Sequence, residues 1–192
     1  MKGVILLKEI YTLMLCLFIT CCMVGYSSQA SEKHEKEHGH EKRQLDSHEH
    51  GVSTLKIALE GQTLEMELEA PANDIVGFEH APENKRQKTA IAKALSILKS
   101  KPGVFKPSSA ANCRIEDVSG EFEVEKNHAG FHIIWKIKCL NPKRIKNFET
   151  TFFQKFPKVE EIEVEIISNS GQKEIEWEND SKTIKLPLSK IK

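Results

Sequence analysis

Residues 52–69 read VSTLKIALEGQTLEMELE, and this stretch decides the fold that we expect for the chain. Apolar residues occupy alternate positions in each half, at Leu55, Ile57, Leu59, Leu64, Met66 and Leu68. A period of two places alternate side chains on opposite faces of a strand, and Glu60-Gly61-Gln62 between the halves predicts a turn. The stretch therefore predicts a β-hairpin with one apolar face and one face that carries Glu65, Glu67 and Glu69.

Similar patterns predict the other elements. Apolar residues recur every three or four positions at Ala90, Ile91, Ala94, Leu95 and Leu98. This spacing predicts a main helix that begins at Pro82 or Glu83 and ends near Ser100. Alternation predicts further strands around 113–124, 131–139, 159–167, 175–177 and 183–188. Residues 74–82 fit a loop, and residues 145–156 fit either a short amphipathic helix or irregular aromatic packing. The predicted fold class is α+β, a mostly antiparallel β-sheet with one main helix.

The N-terminus has the pattern of a cleaved secretory signal. Lys2 and Lys8 precede a mostly apolar run over 10–24, and small residues follow at 28–30. The run is short of the roughly 20 apolar residues that a spanning helix needs, so we expect no membrane span in the mature form. Thr20 and Cys21 are poor matches to the small residue expected before a lipidated cysteine, which favours a cleaved signal over a lipoprotein.

These features divide the chain into three parts. We predict a signal peptide over 1–30, a flexible tail rich in histidine and acid over 31–50, and a single α+β domain over 51–192. The chain has 28 basic and 28 acidic residues, a balance that does not indicate a nucleic-acid partner.

Cys113 and Cys139 are the two cysteines that follow the predicted signal. Exported thiols tend to oxidise, so we predict a disulfide between them. A pair of zinc thiolates is the alternative, but the two residues lack the close spacing of structural zinc knuckles.

Histidines are concentrated just before the predicted domain. Five of the eight fall within residues 34–50 among several acidic residues, at His34, His38, His40, His48 and His50. Residues i and i+2 of an extended chain point to one side, so His48 can bind an ion together with His50. Because imidazole is the commonest metal ligand, the cluster predicts binding of a divalent metal, with zinc, copper and nickel all open.

The remaining histidines give weaker signals. His80 beside Glu79 either lends a ligand to a site near His50 or caps the following helix, and both interpretations stay open. We interpret His128 as a solvated turn residue and His132 as a surface residue rather than a ligand. We interpret the acidic faces of the predicted strands as a solvated surface of the sheet. No zinc-protease helix, nucleophile elbow or phosphate-binding loop is found, so we expect no enzymatic activity.

Three stretches carry a resemblance to a known family. HEHGVSTL at 48–55, EMELEAPA at 65–72 and VGFEHAP at 76–82 resemble the ZrgA-like family of exported zinc-binding proteins. The resemblance implies a periplasmic protein of Gram-negative bacteria that assists zinc acquisition, alongside a zinc ABC importer and its solute-binding protein. It also implies His48, His50 and His80 as positions that match the family.

One departure from that family concerns where zinc is held. Family members often carry a histidine- and acid-rich insert after the helix, whereas residues 99–112 contain no histidine. We therefore expect the N-terminal tail to replace it. The leading hypothesis is a periplasmic zinc-binding accessory protein. The alternatives are an exported protein-interaction domain whose histidines are incidental, and a copper or nickel buffer.

Overall fold

The computed structural model describes residues 50–126, 128–169 and 171–186. Nine strands lie in this part of the chain, namely β1 (Val52–Glu60), β2 (Thr63–Pro71), β3 (Phe105–Pro107), β4 (Cys113–Glu125), β5 (His128–Cys139), β6 (Asn147–Thr150), β7 (Glu161–Ser168), β8 (Gly171–Glu178) and β9 (Thr183–Lys185). Its helices are α1 (Ala72–Val76), α2 (Lys85–Leu98) and α3 (Phe152–Lys155). The predicted signal peptide and residues 31–49 of the predicted tail lie outside the described residues.

A six-stranded sheet in the order β4-β5-β2-β1-β7-β8 organises the domain. The predicted hairpin is confirmed, because β1 pairs antiparallel with β2 and Leu55 lies opposite Leu68. Every other pairing in this sheet is antiparallel except that of β1 with β7, which is parallel. The fold is therefore α+β, built mainly from antiparallel strands with one main helix, as the sequence predicts.

The two faces of the large sheet differ in polarity. Its inner face buries Leu55, Met66 and Trp135. Against this face pack helix α2 and a small sheet in the order β3-β6-β9. Phe105 on β3 contacts both Trp135 and Trp177, with ring centroids 5.8 and 6.1 Å apart. The outer face carries the alternate, polar residues of the same strands, as is common for an antiparallel sheet with one solvated side.

Several boundaries differ from the prediction. The main helix begins at Lys85, because the Asn84 side chain accepts a hydrogen bond from the Gln87 N–H and caps it there. Residues 72–76, within and beside the predicted loop, form the short helix α1 instead. The segment 145–156, left open by the sequence, contains a strand and the short helix α3.

The predicted disulfide is confirmed. Cys113 and Cys139 are bonded where they lie opposite each other at the end of the β4–β5 ladder. Cys139 is fully buried, so the bond lies at the edge of the core. No helix in the described part of the chain combines the length and apolar character that crossing a bilayer requires.

Candidate metal centre

His50 lies at the point where the chain enters β1. Its Nδ1 atom is 3.5 Å from Glu79 Oε1 and 3.5 Å from Asn73 Nδ2. The next residue, Gly51, donates its backbone N–H to Oδ2 of the buried Asp74 over 2.9 Å. This bond ties the start of β1 to helix α1, so the loop that follows β2 is held beside His50.

His80 lies near this pair but has other contacts. Its Nδ1 donates to the carbonyl oxygen of Ala81 over 2.8 Å and lies 3.9 Å from Glu83 Oε1. With its proton on Nδ1, the neutral ring has its lone pair on Nε2, the atom that would bind a metal. The loop thus approaches His50, as in one of the two interpretations that the sequence left open, but Glu79 rather than His80 makes the contact.

His34, His38, His40 and His48 lie outside the described residues. Of the six histidines proposed from sequence, the structure therefore places His50 and His80, and their role as ligands stays a prediction.

A second cluster, here called the sheet-face cluster, lies on the outer face of the large sheet and consists of Glu67, Glu69 and His132. One ligand atom from each of these residues lies within 4.8 Å of the others. Among the residues that the structure describes, no other group of three or more potential metal ligands meets this distance. All three side chains are partly buried, with 16%, 23% and 23% of their surface exposed.

Strand pairing builds the sheet-face cluster. Glu69 on β2 lies directly opposite His132 on β5, and Glu67 is two residues away on the same face. Residues so placed have side chains within reach of one another across neighbouring strands. The ladder therefore fixes the cluster without a flexible loop.

Charged groups surround His132 on both sides. Its Nε2 is 2.7 Å from Glu67 Oε1, and its Nδ1 is 3.4 Å from Glu123 Oε1 on β4. Lys56 on β1 is the neighbouring cation, with Nζ 3.9 Å from Glu69 Oε1. One imidazole nitrogen and two carboxylates form a ligand set that suits Zn²⁺, which takes nitrogen and oxygen ligands in a tetrahedral site.

The family model for "ZrgA family zinc uptake protein" matches residues 47–186. The chain belongs to the ZrgA family. This assignment confirms the resemblance drawn from residues 48–82, and the family's description names zinc uptake rather than an enzyme class. No curated protein matches the chain significantly in sequence.

The sheet-face cluster of this ZrgA family member was not predicted from the sequence, in which His132 was interpreted as a surface residue rather than a ligand. Alternation in each strand puts His132, Glu67 and Glu69 on polar faces, and the structure agrees with these placements. The missing information was that β2 and β5 are neighbours, because about sixty residues separate them in the chain. Two polar strand faces that carry complementary ligands were the only signal available.

Proposed function

We propose that this ZrgA family member is a periplasmic zinc-binding accessory protein that assists zinc uptake. The contact between His50 and Glu79 carries the proposal, because it lies where the histidine-rich residues 31–50 enter the folded domain. A carboxylate held beside the last histidine of that segment supplies one ligand of fixed position. The neighbouring histidines, among them His48, supply the others.

The proposed mechanism is mass action and needs no covalent step. Imidazoles and carboxylates near the N-terminus raise the local zinc concentration beside an importer, and an ABC importer or its solute-binding protein is the proposed recipient. Zinc binds the neutral form of imidazole, so protonation as the pH falls toward 6 weakens the hold.

Two observations support action outside the cytoplasm. The disulfide between Cys113 and Cys139 belongs to a class of bond that persists in oxidising compartments such as the periplasm. The signal-like pattern over residues 1–30 supports the same location.

A titration of the mature protein with zinc chloride at pH 7.4 tests the proposal. The six-histidine variant replaces His34, His38, His40, His48, His50 and His80 with glutamine. We expect isothermal titration calorimetry to show that this variant binds fewer zinc ions than the wild type does. The matched control His128→Gln removes one exposed histidine of β5 and should leave the stoichiometry unchanged.

Growth under zinc limitation tests the biological role. In a strain that lacks the gene, we expect the wild-type gene to restore growth and the six-histidine variant to fail. A variant that binds and grows like the wild type would refute the proposal and favour the protein-interaction alternative. Tighter binding of copper or nickel, together with no growth defect under zinc limitation, would favour a buffer for those metals.

A further inference from the structure

His132 lies between two carboxylates. Its Nε2 faces Glu67 at 2.7 Å, and its Nδ1 faces Glu123 at 3.4 Å. An ionised carboxylate only accepts hydrogen bonds, so a contact as short as that with Glu67 requires a proton or another cation between the two atoms. The geometry therefore places a proton between the two atoms, with Nε2–H donating to Glu67, and a metal ion held by both atoms would take the place of that proton.

Glu69 completes a set of three ligand atoms around that position. It lies directly opposite His132 in the β2–β5 ladder, and the three ligand atoms lie within 4.8 Å of one another. A metal bound 2.0–2.2 Å from each atom needs separations of about 3.3–3.6 Å in a tetrahedral arrangement, so side-chain rotations suffice to close the site. The strands that hold these residues need not move.

Glu123 has the position of an outer-shell partner. Histidines that bind metals commonly donate their other ring N–H to a carboxylate, which fixes the ring and leaves the second nitrogen free for the metal. The contact of Nδ1 with Glu123 corresponds to this arrangement and directs Nε2 toward Glu67. Glu123 is therefore a positioning residue rather than a ligand.

The surface beside the cluster is also acidic. Thr54 on β1 lies between Glu69 on β2 and Glu163 on β7. An open cavity next to it is lined by the carboxylate-bearing residues Glu163, Glu165, Glu174 and Glu176. A concentration of one charge sign attracts counter-ions and raises their local concentration. Cations are thus concentrated on the part of the outer face beside the cluster.

We propose that Glu67, Glu69 and His132 form a second divalent-metal site, held by the folded sheet and separate from the histidine-rich segment. Its ligand class is Zn²⁺ or a similar transition-metal ion, with three protein ligands and water in the fourth position. The proposal depends on the proposed function only for zinc as the physiological metal, since the geometry stands without it.

Zinc and cobalt titrations of the full mature chain test this site. We expect the six-histidine variant to retain one equivalent of zinc, and the addition of His132→Gln to that variant to abolish it. In the wild-type background, His132→Gln and Glu67→Gln should each remove one equivalent. Glu65→Gln, on the same face of β2, and His128→Gln, on the same strand as His132, should remove none.

Two measurements keep the test independent of misfolding. Far-UV circular dichroism of His132→Gln and Glu67→Gln should match that of the wild type. The visible absorption of bound Co²⁺ should report an ordered nitrogen and oxygen site in the six-histidine variant, because its intensity depends on the coordination geometry. Glu123→Ala should lower the metal affinity of this site about 10- to 100-fold. Glu123→Gln, which keeps an acceptor oxygen, should lower it less.

The outcomes separate the two proposals. If the six-histidine variant binds no zinc, or if His132→Gln leaves the wild-type stoichiometry unchanged, the sheet-face site is refuted and the histidine-rich role stands. If the six-histidine variant loses nothing while His132→Gln removes an equivalent, the sheet-face site stands and the proposed role of the histidine-rich segment is refuted.

Discussion

Loss of the disulfide should destabilise the domain by an amount that its position allows us to calculate. Cys113 and Cys139 are 26 residues apart in the chain. In the chain-entropy model, closing a loop of this length in the unfolded state removes about 12 cal/mol/K, which is about 3.5 kcal/mol at 25 °C. Reduction of the wild type should therefore lower the free energy of unfolding by about 3.5 kcal/mol.

Urea denaturation followed by tryptophan fluorescence measures this change, because Trp135 and Trp177 are both buried. With a slope of about 2 kcal/mol/M, the midpoint should fall by about 2 M. The urea midpoint of the double variant Cys113→Ala and Cys139→Ala should fall further, because truncation of the fully buried Cys139 side chain leaves a cavity.

Zinc binding provides the control for this prediction. His132 lies opposite Glu69 near the far end of β5 from Cys139, so the double alanine variant, which has no thiol to bind zinc, should keep the wild-type zinc stoichiometry under conditions where the domain is still folded. A midpoint shift below about 0.5 M on full reduction would refute the reasoning, because it would show that the bond does not restrict the unfolded chain as the model requires.

Three further predictions concern the sheet-face cluster. Zinc at 100 times its Kd should raise the free energy of unfolding by about 2.7 kcal/mol in urea titrations, because Glu67 and His132 are 65 residues apart and meet only in the folded chain. Lys56→Met should tighten zinc binding about three- to tenfold by calorimetry, because it removes an ammonium 3.9 Å from Glu69. Gly120→Ala should cost about 1–3 kcal/mol of stability, since its Cβ would lie 2.6 Å from the backbone oxygen of His132.

Each of these has a control and a contrary result. In the six-histidine variant, the addition of His132→Gln should abolish the gain from zinc, and an equal gain would place the stabilising ion elsewhere. Lys136→Met, on the same face of β5, should leave affinity unchanged, and an equal effect would mean that only net charge matters. Ser119→Ala, beside Gly120 and exposed, should be nearly neutral. A Gly120→Ala protein as stable as the wild type would show that β4 can move away from β5.

Local patterns in the sequence predicted most of the fold. Alternation in residues 52–69 and 131–139 requires one face to be buried, so these strands and their inward residues followed directly. The start of α2 was less certain, because the Asn84 cap and Pro82 are close together and either can begin a helix. Helix α1 carries too few residues for a helical period to be visible.

Long-range pairing could not be predicted from these patterns. The alternation of β1 does not specify that β7 is its parallel neighbour, nor does that of β2 specify β5. The histidine-rich segment could be recognised in the sequence because its histidines lie close together in the chain. The sheet-face cluster could not, because each of its strands shows only an ordinary polar face.

The parallel pairing of β1 with β7 has a consequence for how the chain folds. Val52 on β1 pairs with Glu161 on β7. The central strand β1 can therefore pair with β7 only after most of the domain has been synthesised. Contacts between residues so distant in sequence form slowly, because the intervening loop must close first. We expect newly made chains to remain incompletely folded for longer than a simple hairpin meander would.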